Sequence, residues 1–465
     1  MITGPDPGHV FPAVALCLRL RAAGDEPVLL TGTRWLQRVR EEGLECAELP
    51  GLAAAPTDDD TDAGARLHAR AARMSTDLLP VLRELDPDLV VADVLTAGGG
   101  LAAERASLPW VEVSPHPLYL PSRGLPPIGS GLAPGRGPLG ALRDGVLRRL
   151  AARSQKLGRE HRRSARLSVG LPAHDPGPLT RLVATLPALE VPRPDWPEHA
   201  HVVGPLLWDP VTTALAAPAG TDPLVLVSPS TAVGGALGVL DAALGGLSGV
   251  RVVATTLPDT SAGCVGAIPN WAAVGVGRQD ELLAQARVVV CGGGHGILVK
   301  ALLAGVPAVV VPGGGDQREL AGRVARHGSA LVVRPLHARA LDAAVHRVLA
   351  EPSFAVAAGR AAESVGQLRA EPVQLCRDAT RPTLSAERSA LTIAPQPVDP
   401  DRDGAEQHCD DEDRPQRSVE DGEFGTVHVR QAIPTEVRPS GLLRWARAPH
   451  PVSRPGPRRV RPGPR

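Results

Sequence analysis

The chain has 465 residues, 50 of them Gly and 48 Pro; 43% are hydrophobic, but only six are Trp, three Phe and one Tyr. This is enough apolar material for one or two globular domains, with cores built on Ala, Val and Leu rather than on rings. Lys plus Arg and Asp plus Glu both number 50, a formal net charge of zero that argues against a dedicated nucleic-acid or membrane-surface binder.

The first cation is Arg19 and no run reaches 18 apolar residues, so neither a secretory leader nor a spanning helix is expected. Peripheral membrane contact is left open. Cys17, Cys46, Cys264, Cys291, Cys376 and Cys409 lack the spacing of a zinc site or a disulfide framework, and a cytoplasmic location follows as the simplest expectation.

From residue 1 to about 115, short apolar runs alternate with amphipathic stretches, the pattern of a parallel sheet flanked by helices. Helices are expected over Val10–Ala23, Thr33–Glu42 and Ala63–Leu85, and strands over Val28–Thr31 and Asp88–Asp93. Asp58, Asp59 and Asp60 read as a charged loop. A Pro/Gly-rich stretch over 115–138 is too long for a mere connection and reads as a binding loop or lid. An Arg-rich helix follows over Leu142–Arg166, and the Pro-rich residues 171–222 read as the passage to a second α/β half. That half has strands expected at Leu224–Ser228, Val250–Thr255, Val288–Cys291, Ala308–Val311 and Ala330–Val333, and a helical stretch near 354–379. Residues 381–465 concentrate acids from Asp399 to Glu423 and arginines from Arg430 onward; such a segment has too little apolar material for a core and is expected to be a disordered tail.

The strongest chemical signal lies within 288–317. A buried strand runs into Gly292-Gly293-Gly294-His295-Gly296 and then into a helix expected to start near Ile297. Glycines admit a ligand close to the backbone, and a helix start offers free N–H groups and a positive dipole end to a phosphate. A second strand ends in Gly313-Gly314-Gly315 followed by Asp316 and Gln317, a carboxylate and an amide suited to sugar hydroxyls at the carboxyl end of a parallel sheet.

These residues, with Ala301 to Pro307 and the continuation through Glu319 to Arg323, Val324 and Gly328, resemble the donor signature of GT-B glycosyltransferases that use nucleotide-diphospho-sugars. The likeness is strongest to the bacterial macrolide-type branch of the UDP-glycosyltransferase family and extends over roughly residues 4–380. Within it, the Gly8-His9-x-x-Pro12 element resembles the family's acceptor-side turn, which implies His9 as general base and Asp93 as the carboxylate that orients it. Imidazole has the near-neutral pKa that deprotonation of a hydroxyl requires. The chain departs from the family pattern at Gly292, where a histidine is usual, at Ile297, where a small hydroxyl residue is usual, and at Lys300, where a glutamate is usual. Val276 takes the position that often stacks on the base.

The resemblance implies an α/β GT-B fold of two Rossmann-like domains facing across a cleft. The acceptor domain is expected over 1–205, the nucleotide-sugar domain with its closing helix over 206–380, and the tail over 381–465. Donor contacts are expected from Ser230, Thr231, Val276, Gln279, Gly293, Gly294, His295, Gly296, Lys300, Asp316 and Gln317, with Lys300 supplying positive charge. The implied reaction moves a hexose or deoxyhexose from a UDP- or dTDP-sugar to a hydroxyl of a small apolar acceptor, with no metal and no cofactor. A weakly active or non-catalytic nucleotide-binding relative and a nucleotide-sugar epimerase on the same fold are the rivals.

Overall fold

The computed structural model describes residues 1–53, 62–229, 238–256 and 268–381. The expected tail, the Asp58–Asp60 loop, Ser230 and Thr231 lie outside the described residues. So do Cys264 and Cys409.

The chain opens with Ile2 bridging Leu30 and Ala92 in parallel. It continues through α1 (Pro7–Ala22), β1 (Val28–Thr31), α2 (Thr33–Glu41), β2 (Glu45–Glu48), α3 (Ala63–Leu85), β3 (Val90–Asp93), α4 (Ala97–Arg105) and β4 (Trp110–Ser114). After the long loop come α5 (Gly137–Ser168), β5 (Thr180–Val183) and β6 (Ala200–Val202). Residues 171–222 are therefore more than a passage, since β5 and β6 both join the first sheet. β1 pairs with β2, and β3 to β6 pair in order. Ile2 fits between β1 and β3, so the three residues before Gly4 do the work of a strand.

The second sheet is built from β7 (Leu224–Ser228), β8 (Arg251–Thr255), β9 (Ala272–Gly275), β10 (Val288–Cys291), β11 (Ala308–Val310) and β12 (Ala330–Val332). It is wholly parallel, ordered β12-β11-β10-β7-β8-β9. Its helices are α6 (Val239–Gly246), α7 (Gln279–Leu283), α8 (His295–Leu303), α9 (Gln317–His327), α10 (Ala338–Ala350), α11 (Pro352–Glu363) and α12 (Pro372–Ala379). β7 and β10 are buried throughout, which is why they read as unbroken apolar runs and not as alternating patterns. Leu298, Leu320 and Ala358 pack on one face, and Val239, Leu341 and Val345 on the other. Each fully buried Val or Leu contributes roughly 1.5–3 kcal/mol. The stretch near 354–379 is two helices rather than one. The second returns to the first sheet, where Val373 and Cys376 join Val14, Leu16 and Trp35 in one core.

Both sheets belong to one compact unit, and the loop over 115–138 ties them together. Leu118 N–H donates within the first half to Glu190 Oε1 at 2.6 Å, and Gly131 N–H donates across to Glu319 Oε2 at 3.2 Å. Gly131 sits at φ +67°, and a Cβ there would stand 2.8 Å from the Arg318 carbonyl, so glycine is required. Arg323, only 3% exposed, organises this junction: it pairs with Glu319 at 3.1 Å and Glu190 at 3.7 Å, and donates to the Leu189 carbonyl at 2.9 Å. Removing one partner from a buried ion network leaves the others uncompensated. Arg323→Met is expected to lower the unfolding free energy by about 3–5 kcal/mol, read from the urea midpoint, whereas an unchanged midpoint would show that the network adds nothing.

Candidate functional site

α1 begins earlier than its sequence pattern predicts, because Pro7 supplies a preset φ at the first helical position and Asp6 takes the N-cap place. His9 is therefore in the first helical turn and not in a preceding loop. Its Nδ1–H donates to Asp93 Oδ2 at 2.8 Å. Asp93 ends β3 and is 2% exposed; its N–H bonds the Ile2 carbonyl at 2.9 Å, and its Oδ1 accepts the Leu95 N–H at 2.9 Å. The carboxylate is thus held from the strand, and among the described residues the imidazole Nε2 makes no hydrogen bond. Burial pulls the His9 pKa down, but the charge and hydrogen bond of Asp93, helped by Asp6 and Asp316, outweigh it and leave the value above 6.5.

Three residues that sequence reasoning passed over complete this wall. The His116 ring stands edge-on to His9 with centroids 6.3 Å apart and stacks on Tyr119 at 4.3 Å. Its Nδ1–H donates to the Pro117 carbonyl at 2.8 Å, and burial lowers its pKa. Tyr119 reaches Asp316 Oδ2 at 3.5 Å, across from the first sheet to the second. Thr185 Oγ1 and His295 Nε2 make a second bridge at 2.8 Å.

On the opposite wall α8 starts at His295, two residues before Ile297, with no side-chain cap on its first N–H groups. Gly293 has a structural duty, with φ +86° and Val310 Cγ1 at 2.9 Å from where a Cβ would stand. Gly294 and Gly296 have no such duty: their φ is ordinary and nothing lies within 4 Å of a Cβ at either. Their bareness keeps the approach to the helix start open. Burial, with the charges of His116 and Arg323, pushes the His295 pKa down to about 3, so the positive character at this helix start comes from its N–H groups and dipole.

Asp316, at the N-cap place of α9, makes no cap bond, which leaves its carboxylate to the cleft. Two expected donor contacts are instead engaged within the fold. Gln317 is 4% exposed and accepts the Gly313 N–H at 2.9 Å, so its carbonyl oxygen closes its own turn. Lys300 Nζ donates to Asp209 Oδ2 and Gln279 Oε1, both at 3.0 Å, so its charge is shared with a carboxylate of the same chain. Gln279 in turn donates to Thr255 Oγ1 at 3.1 Å, and Val276 lies half-buried just beyond β9.

No family model matches the chain. Over 397 residues it is 30% identical to 4'-demethylrebeccamycin synthase of Lentzea aerocolonigenes, covering 77% of this chain and 93% of that one. Over 410 residues it is 30% identical to O-mycaminosyltylonolide 6-deoxyallosyltransferase of Streptomyces fradiae, covering 79% and 94%. The chain belongs to the antibiotic-pathway glycosyltransferases. The solved glycosyltransferase of kitacinnamycin shares its fold with a TM-score of 0.64 at 23% identity, over 83% of this chain and 97% of that one. A glycosyltransferase of Streptomyces sp. SF2575, solved with thymidine diphosphate, gives 0.54 at 21% identity over 81% and 97%. The architecture is therefore GT-B.

A general base at His9 would act in its neutral form, so rate would fall as pH drops through a pKa held above 6.5. The same shift stabilises the fold below the unfolded value and ceases to do so as pH rises through the folded one. Asp93→Asn removes what raises the pKa and leaves the burial. The acid limb of the pH–rate profile is expected to move to lower pH, with the plateau falling on the order of 10²–10⁴-fold. An unmoved limb would separate Asp93 from the titration.

Proposed function

We propose that the glycosyltransferase moves a hexose or deoxyhexose from a UDP- or dTDP-sugar to a hydroxyl of a small apolar acceptor. The observation that carries this is the pairing of walls. His9, oriented by Asp93, faces the cleft from the first sheet, and the second sheet offers an uncapped helix start kept bare by Gly294 and Gly296. Asp316 stands close enough to both to act electrostatically on His9 and to touch Tyr119.

The acceptor hydroxyl would give its proton to His9 Nε2 as its oxygen bonds to the anomeric carbon. The bond from that carbon to the diphosphate oxygen breaks, and the leaving charge meets the N–H groups of residues 295–297. Asp93 stabilises the imidazolium, and Asp316 accepts hydroxyls of the sugar. Transfer needs no cofactor beyond the donor. Thymidine diphosphate bound to a protein of the same fold supports a nucleoside diphosphate here, and the deoxyallosyl transfer named for one relative supports a deoxyhexose.

A panel of nucleotide sugars, assayed for donor consumption with and without acceptors, is expected to show loss that depends on acceptor; isomerisation without acceptor would assign an epimerase. A helical Cβ leans toward the N-terminus, so Gly296→Leu projects into the approach to the helix start. It should keep or raise the melting temperature, since Leu favours helix over Gly, while weakening thymidine diphosphate about tenfold through loss of a hydrogen bond to a charged group. Unaltered affinity would move the diphosphate elsewhere.

A further inference from the structure

α5 is 32 residues long, yet only Asp144, Ala165 and Arg166 on it are buried. Leu139 (83% exposed), Leu142, Val146, Leu150 (72%) and Leu157 all face water. At 3.6 residues per turn these five fall within about 80° of arc and run about 27 Å along the axis. Arg153 shares that arc between Leu150 and Leu157, so the face is an apolar stripe with a cation set into it, and exposed apolar surface of this extent marks an interaction site. A shallow concavity of about 460 Å³ on this helix is lined by Leu142, Val146, Arg148 and Arg149 among others.

The charge around the stripe says what covers it. The element holds nine Lys and Arg against two Asp and Glu, in a chain whose net charge is zero. Arg149, Arg153, Arg159 and Arg163 are exposed and make no ion pair among the described residues. A second copy docked on this face would set cations against cations. Leucines flanked by arginines suit a surface that is apolar below and anionic at its rim, because the alkyl stems of Arg lie along hydrocarbon while the guanidinium meets phosphate. No helix of the described residues is long and apolar enough to cross a membrane, so docking would be in the plane of the headgroups.

We propose that α5 is an interfacial helix that docks the protein on an anionic lipid surface through Leu139, Leu142, Val146, Leu150 and Leu157. None of these residues belongs to the catalytic cleft described above, so the proposal is independent of the transfer reaction.

Co-sedimentation of the full chain with phosphatidylglycerol/phosphatidylcholine vesicles, against vesicles of phosphatidylcholine alone, is the test. Binding should be selective for the anionic vesicles and weaken with salt. Leu142→Glu with Leu150→Glu should reduce the partition roughly tenfold or more with the melting temperature unchanged, and Arg149→Glu with Arg153→Glu should abolish the lipid selectivity. The proposal is overturned by no partition, by equal partition onto both vesicles, or by full partition of the double leucine variant. It is overturned equally if that variant lowers the oligomeric mass in light scattering, which would assign the face to a second copy. RNA displacing the protein from vesicles through the leucines would overturn it as well.

Discussion

The 2.8 Å bond between His9 Nδ1 and Asp93 Oδ2 is the constraint around which the first sheet is arranged. It requires a helix start and a strand end to meet, although the two residues are 84 positions apart. The strand-like segment at Ile2 makes that possible: it lies between β1 and β3, bonds the Asp93 N–H, and delivers the chain through Gly4 and Pro5 into α1 directly above. Trp35 Nε1–H holds that turn by donating to the Pro5 carbonyl at 2.6 Å. The imidazole would be idle without a leaving-group site opposite, so the second constraint is the distance between the sheets. Arg323, Glu319 and Glu190 set it from the buried junction, while Tyr119–Asp316 and Thr185–His295 set it within the cleft.

Much of this was legible in the residues. The alternation of apolar runs marks the parallel strands, with β7 and β10 matching their sequence signal end to end, because strands covered on both faces are apolar at every position. Strands β2, β4, β5, β6 and β9 escaped it. Each is only three to five residues long, and ECAE and AHV carry too few apolar residues for periodicity to register, so pairing with a neighbour decides them. The start of α1 was set by Pro7, and the interruption between α11 and α12 by a short 3-10 turn over Ser364–Gln367, local features that override a coarse helical pattern.

The site divides along the same line. Gly293, expected as a donor contact, holds a positive φ, and Asp93, implied by the family resemblance, ends a strand beside His9; both positions depend on local backbone. Residues whose role depends on who stands opposite were not legible in this way. Lys300 has the right charge for a diphosphate but meets Asp209 from a segment 91 positions earlier, and Gln317 turns back on Gly313. His116 and Tyr119 lie in the Pro-rich loop, and the one signal for them was that Tyr119 is the sole tyrosine in a chain nearly without rings. What the aromatic poverty of this chain withholds at Val276 it restores on the other wall of the cleft, where His116, Tyr119 and the guanidinium of Arg323 form a stack.

The central claim is a division of labour: the proton is taken by one sheet and the leaving group is held by the other. Measuring thymidine diphosphate affinity and glycosyl transfer on a single preparation of His9→Ala tests it most directly. The division predicts an unchanged Kd alongside a transfer rate lowered on the order of 10²–10⁴-fold. Transfer that survives the substitution, or nucleotide affinity that falls in step with it, would contradict it.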